Sequence, residues 1–194
     1  MRVITSYFLR AKHWQIFVLL FGAGLLGDLV VITSNPAPAE SWSELGNVGK
    51  LYVELSFLLM ICFLVWMWSL GSFLNSIVKP ELRMRTGLFL FGLLYPPVYG
   101  VAFFAVLERR HALLFAMIWP FHLLAMVCLL YQLKFVSKSL AMAETGKSEE
   151  FRDYAGLFLL IWFFPIGVWF IQPRINRLYA RRRDIGSSTA SAPA

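Results

Sequence analysis

The sequence predicts an all-α polytopic membrane bundle with four crossings and a fifth, Pro/Gly-broken apolar segment. Three observations carry this. Apolar residues make up 59 % of the chain and charged ones 15 %, against roughly 45 to 50 % and 25 % in a soluble domain. The apolar residues form long continuous runs without the two-residue alternation of a membrane barrel. Those runs consume most of the 194 residues, so a soluble catalytic domain of ~100 residues has no room beside them. Any site must be built from membrane helices and short loops.

The chain opens on a basic arm, MRVITSYFLRAKHW, that leads into a first segment at Trp14–Thr33. The Ala-Pro-Ala triplet at 37–39 raises a cleaved leader. However, the segment exceeds the roughly 7 to 15 apolar residues of such leaders and carries Asp28, so it reads as a retained anchor. Ala23 and Gly27, with Gly24 beside them, form a small-xxx-small pair that marks a close helix contact within the fold or with a partner. Loop one, SNPAPAESWSELGNVGK, is acidic, with Ser41 and Glu44 spaced as a capping box for a short interfacial helix around Trp42.

The second segment, Leu51–Val78, ends in a basic loop with Lys79, Arg83 and Arg85. The third, Thr86–Leu107, and the fourth, Ala112–Leu133, are joined by ERRH alone and so form a tight antiparallel hairpin. Loop four, Lys134–Tyr154, carries Lys134, Lys138, Lys147 and Arg152, and Gly146 within it reads as a helix C-cap. The fifth segment, Ala155–Gln172, is marginal for the roughly 20 residues that span ~30 Å of hydrocarbon. Residues 1–186 make one integral membrane domain, and 187–194 are a small-residue tail expected to be disordered.

Two readings of the fifth segment compete. In one, FPIG forms a type I turn with Pro165 second and Gly167 fourth, and the segment dips and returns. In the other it is a kinked crossing whose orphaned carbonyl is satisfied by neighbours. Charge favours the dip. If the segment returns, the N-terminal arm, loop two, loop four and the tail share one side and hold 15 of the 18 Lys and Arg residues. If it crosses, the cations split almost evenly. The positive-inside rule therefore puts both termini in the cytoplasm.

Chemistry-bearing motifs are few. Cys62 and Cys128 lie deep in apolar segments and read as small hydrophobes. His13, His111 and His122 are scattered, with no metal-ligand spacing, so no metal or other cofactor is expected. AMAETGKS at 141–148 ends like a phosphate-binding loop, but Ala141 stands where that motif needs glycine and no strand precedes it. Asp28 and His122 are the ionisable residues placed deepest. Such groups are costly in lipid and tend to be paired or functional, and on depth alone the two lie close enough to bridge. The structural alternative leaves Asp28 near the interface and His122 bonded to backbone freed by Pro120. Pro96, Pro97, Pro120 and Pro165 break segments near their middles, as in transporter sites, although no internal repeat accompanies them. In the tail, Arg174, Arg177 and Arg181 share a helical face with Arg182 and Arg183 adjoining, which fits contact with anionic headgroups of the bilayer. No base-stacking platform accompanies this charge, so nucleic acid is not an expected partner.

The run from Asp153 to Asn176, DYAGLFLLIWFFPIGVWFIQPRIN, resembles a terminal segment of uncharacterised small bacterial multi-pass membrane proteins. The resemblance implies a bacterial inner-membrane location and no activity. No nucleophile is spaced to a base, so the leading expectation is a non-catalytic accessory or scaffold subunit, bound through helix faces to a membrane-protein partner or a second copy. The competing expectation is a small transporter or channel component using Asp28 and His122.

Overall fold

The computed structural model describes residues 2–34, 46–109 and 112–190, and every regular element among them is helical. The helices are α1 (Arg2–Arg10), α2 (His13–Phe17), α3 (Ala23–Ser34), α4 (Asn47–Ile77), α5 (Thr86–Arg109), α6 (Ala112–Thr145), α7 (Phe151–Trp162) and α8 (Phe164–Ala190). A π-helical turn, Val18–Gly22, joins α2 to α3, so the first span runs through His13–Val30. The other long apolar helices are Gly49–Ile77, Thr86–Phe103 and Met117–Thr145. These four agree with the first four predicted segments.

The fifth segment is a bent pair. α7 and α8 meet at 120° across Phe163, whose backbone sits at φ −89° and ψ 54°. A bend beyond a right angle turns the second arm back along the first. The tip packs partway along its neighbours, with the Phe164 ring 5.4 Å from Phe63 of α4 and 6.2 Å from Phe21. Both arms then lie at the end of the bundle where the basic loops are. Lys138 of α6 lies over the Tyr154 ring at the start of α7, and Arg174 of α8 pairs with Glu144 of α6 at 3.2 Å.

The turn is one residue earlier than FPIG suggested. The amides of Ile166 and Gly167 both donate to the Phe163 carbonyl. Pro165 is thus the second residue of α8, where a missing N–H costs nothing. Gly167 is the residue the bend requires, because a Cβ there would run into the backbone carbonyl of Leu160.

One other expectation, the end of the fourth segment, is revised. α6 does not end at Leu133 but continues to Thr145, shortening loop four to residues 146–150. Beyond Leu133 it buries Phe135, Val136, Leu140 and Met142 while Lys134 stays exposed, the stripe of an amphipathic helix. The basic arm is helix α1, with Phe8 and Leu9 buried. α8 runs through the boundary drawn at 186 and on to Ala190. The predicted C-cap is found: Gly146 has φ +69° and its N–H donates to the Met142 carbonyl at 2.9 Å. The Ser41–Glu44 box, Arg110, His111 and residues 191–194 lie outside the described residues.

The core occupies one end. Trp66, Leu70 and Leu74 of α4 meet Phe89 of α5, Phe135 and Leu140 of α6, and Ile161, Ile171 and Ile175 of the bent pair. Gly71 admits the Phe89 ring, which a Cβ there would strike, and that ring stacks on Phe135 at 4.2 Å and 16°. At the far end Leu58, Val98, Val101, Phe121 and Leu123 are exposed to what would be lipid. Gly24 and Gly27 of the first span serve the fold itself: a Cβ on Gly27 would lie 3.3 Å from the Tyr52 ring of α4, and one on Gly24 3.7 Å from Leu59.

Two polar devices hold the basic end. Asn75 clasps Met84 reciprocally, through its amide nitrogen to the Met84 carbonyl and its oxygen from the Met84 N–H, both at 3.0 Å. Arg83 donates to the carbonyls of Ser76 and Val78 at the C-terminus of α4. In α5, Pro96 deprives the Gly92 carbonyl of its helical donor. The fully buried Gln132 of α6 supplies one from its side-chain amide, across a contact so close that a Cβ on Gly92 would lie 3.3 Å from the Cys128 carbonyl. Gln132→Leu is therefore expected to cost about 2 kcal/mol. The cost should shrink in a Pro96→Ala background, whose restored N–H can take the Gly92 carbonyl. Thermal unfolding of the two single variants and the double variant in detergent measures this coupling, and strict additivity would show that the two residues act separately.

Candidate functional site

Gln172 is the most densely bonded polar side chain described, and its position follows from the bend. Turning the chain at Phe163 directs the apolar first turns of α8 into the core and brings Gln172, fully buried, beneath the α1–α2 junction. Its amide nitrogen donates to the carbonyls of Phe8 at 2.7 Å and Ala11 at 3.2 Å and to Asn176 Oδ1 at 3.0 Å. Its oxygen accepts from Trp66 Nε1 at 3.3 Å, and Asn176 adds a second bond to Ala11. α1 ends at this point, leaving carbonyls that need donors, while Lys12 N–H finds Gln15 Oε1 at 2.8 Å as the next helix begins. The group joins α1, α4 and α8. It contains no titratable pair and no nucleophile, so its chemistry is positioning.

Asp28 and His122 are not brought together. Asp28 accepts a hydrogen bond from the Tyr52 hydroxyl of α4 at 2.7 Å. His122 is exposed near the middle of its segment, with Nδ1 3.0 Å from the Tyr99 hydroxyl of α5, and Tyr95 donates to the Phe121 carbonyl beside it. Each ionisable group has its own tyrosine on an adjoining helix. Beside His122 lies an apolar groove of about 320 Å³ between α5 and α6, lined by Val98, Tyr99, Met117 and Phe121 among others.

Of the tail arginines, Arg174 is half-buried in its ion pair with Glu144. Arg177 contacts the Pro173 carbonyl, and Arg181, Arg182 and Arg183 are exposed. A second cavity, of about 480 Å³, is lined by Glu144, Glu149, Asp153 and Arg174. Its acids are already engaged, by Arg174, by the Thr145 hydroxyl and by the Glu150 N–H. No cluster of three or more His, Cys, Asp or Glu suited to a metal is found among the described residues. The Gly-Lys-Ser triplet is the C-cap of α6 and the short loop after it, preceded by helix rather than strand.

Sequence reasoning missed Gln172 and Gln132. One read as the polar stop after an apolar run, the other as the edge of a segment. The available signal was a glutamine inside an apolar helix near prolines, since a carbonyl freed by proline needs a donor from elsewhere.

Comparison of the chain with protein-family profiles, curated proteins and solved structures returned no match. Its own architecture defines the class: a helical membrane protein with, among the described residues, four helices long and apolar enough to cross a membrane and one bent pair.

The isosteric changes Asp28→Asn and His122→Gln preserve a hydrogen bond to Tyr52 and Tyr99 respectively. Each is expected to leave thermal stability within about 0.5 kcal/mol, whereas Tyr52→Phe is expected to cost about 1 kcal/mol. Proton flux in liposomes that disappears with Asp28→Asn, in protein that still folds, would assign the residue to transport instead.

Proposed function

We infer that this chain is a non-catalytic accessory or scaffold subunit of a bacterial inner-membrane assembly, with both termini at the cytoplasmic face. The observation that carries this reading is His122. It is exposed partway along α6, where a polar ring is costly in lipid, among exposed Trp119, Phe121 and Leu123. A helix of another membrane subunit, or a second copy, would cover that face and satisfy the ring nitrogen that Tyr99 leaves free. The buried polar groups support the same reading, since Gln172 and Asn75 are occupied by bonds that hold the fold. The bent pair supports this placement of the termini: α7 spans only about 18 Å at 1.5 Å per residue before the chain turns back. The tail then rejoins the other basic segments, as the positive-inside rule asks. Asp28 and His122, held by separate tyrosines, lend the transporter alternative no shared path.

A photo-crosslinking side chain at position 122 tests the reading in cells. A protein adduct, either a defined second subunit or a dimer of the chain, is expected there and not at Leu25 on the exposed face of the first span. Adducts to lipid alone at position 122 would overturn it.

A further inference from the structure

The stripe of α8 that faces α1 does not end with Gln172 and Asn176. At helical spacing its next members are Tyr179 and Arg183, with Arg182 adjoining, while Arg177 and Arg181 fall on the opposite side. Tyr179 is fixed between two other helices: its ring lies 5.5 Å from Phe73 of α4, and the Arg10 guanidinium of α1 stands 5.8 Å over its centroid. Arg10 and Arg183 are both exposed, and neither forms an ion pair among the described residues. The Tyr179 hydroxyl has no hydrogen bond among them either, and Arg183 follows it by one helical turn on the same stripe. Asp184, which follows Arg183, has an interaction of its own. Arg10 stands over the Tyr179 ring, and helical spacing sets Arg183 one turn further on the same stripe. Two like charges flanking a hydroxyl donor are complementary to a tetrahedral oxyanion.

The depth of this place selects the source of the anion. Arg10 lies three residues before the first span begins at His13, and Phe73 lies one turn before the second ends at Ile77. Those two span ends are on the same side of the bundle, at the level of headgroups. We propose that Arg10, Tyr179 and Arg183 form a binding site for the phosphate of one anionic phospholipid. Arg182 supplies outer charge, and Arg177 and Arg181 take no part. This rests on the part of the functional reading in which both chain ends meet one membrane face. It is tested on the isolated chain, so its failure leaves the accessory-subunit reading untouched.

The experiment is native mass spectrometry of the protein released from nanodiscs of phosphatidylcholine mixed with phosphatidylglycerol. One phosphatidylglycerol should remain per chain. Arg10→Gln and Arg183→Gln should each lower its retention about fivefold, with Arg177→Gln and Arg181→Gln unchanged. Arg183 is exposed near the end of a helix, so its replacement reads binding without disturbing the fold. Equal loss in Arg181→Gln would show diffuse surface charge and overturn the site. Displacement of the lipid by millimolar inorganic phosphate would overturn the lipid as its ligand.

Discussion

Gly167→Ala is expected to be among the most damaging single changes in this chain, lowering stability by at least about 4 kcal/mol. The added methyl would meet the carbonyl of Leu160, and that atom is backbone at the end of α7, unable to move aside as a side chain would. Relief requires the two arms to separate, which withdraws Val168, Ile171 and Ile175 from the core. A reporter fused after Ala194 should therefore change its accessibility in a fraction of molecules. Pro165→Ala should be silent within about 0.5 kcal/mol, because a first-turn N–H has no helical acceptor to gain. Unfolding in detergent together with reporter accessibility measures both. Native-like stability and tail accessibility in Gly167→Ala would mean that the arms do not close at that contact.

Gln172→Leu is expected to cost on the order of 3 to 5 kcal/mol. It strips donors from the Phe8 and Ala11 carbonyls and an acceptor from the Trp66 indole in a site without water access. The change should also free α1, making the Arg10 and Lys12 bonds sensitive to trypsin while the spans remain folded. Trp66→Phe combined with Gln172→Leu should cost less than the sum of the two single changes, because the first removes a donor the second would leave unpaired. A fully resistant N-terminal segment in Gln172→Leu would show that apolar burial of Phe8 and Leu9 alone holds α1.

Properties fixed along one helix were readable in the residues. Four spans followed from run length, the C-cap at Gly146 from its glycine, and the break in the fifth segment from its proline and glycine. Other features depend on partners far away in sequence. The reach of α6 to Thr145 was hidden because Lys134 and Lys138 read as loop, whereas the opposite face packs against Phe89 and the bent pair. The role of Gln172 depends on Trp66, 106 residues away. Depth along a helix can be counted from its ends, but the direction a side chain faces depends on which helices surround it. That is why Asp28 and His122, expected close enough in depth to bridge, are each held by a different tyrosine.

The crowding of the core toward the basic end has a consequence for biosynthesis. Residues 151–184 leave the ribosome after all four spans, yet Ile161, Val168, Ile171 and Ile175 close the socket formed by Trp66, Leu70, Leu74 and Phe135. Until they arrive, inserted spans display an uncovered apolar surface at the aqueous boundary, where hydrophobic burial has its driving force. A chain stalled in the loop before Phe151 would carry that surface permanently, a target for membrane proteases and chaperones. Docking of the hairpin is thus the step expected to distinguish a finished copy from an unfinished one, by covering that surface.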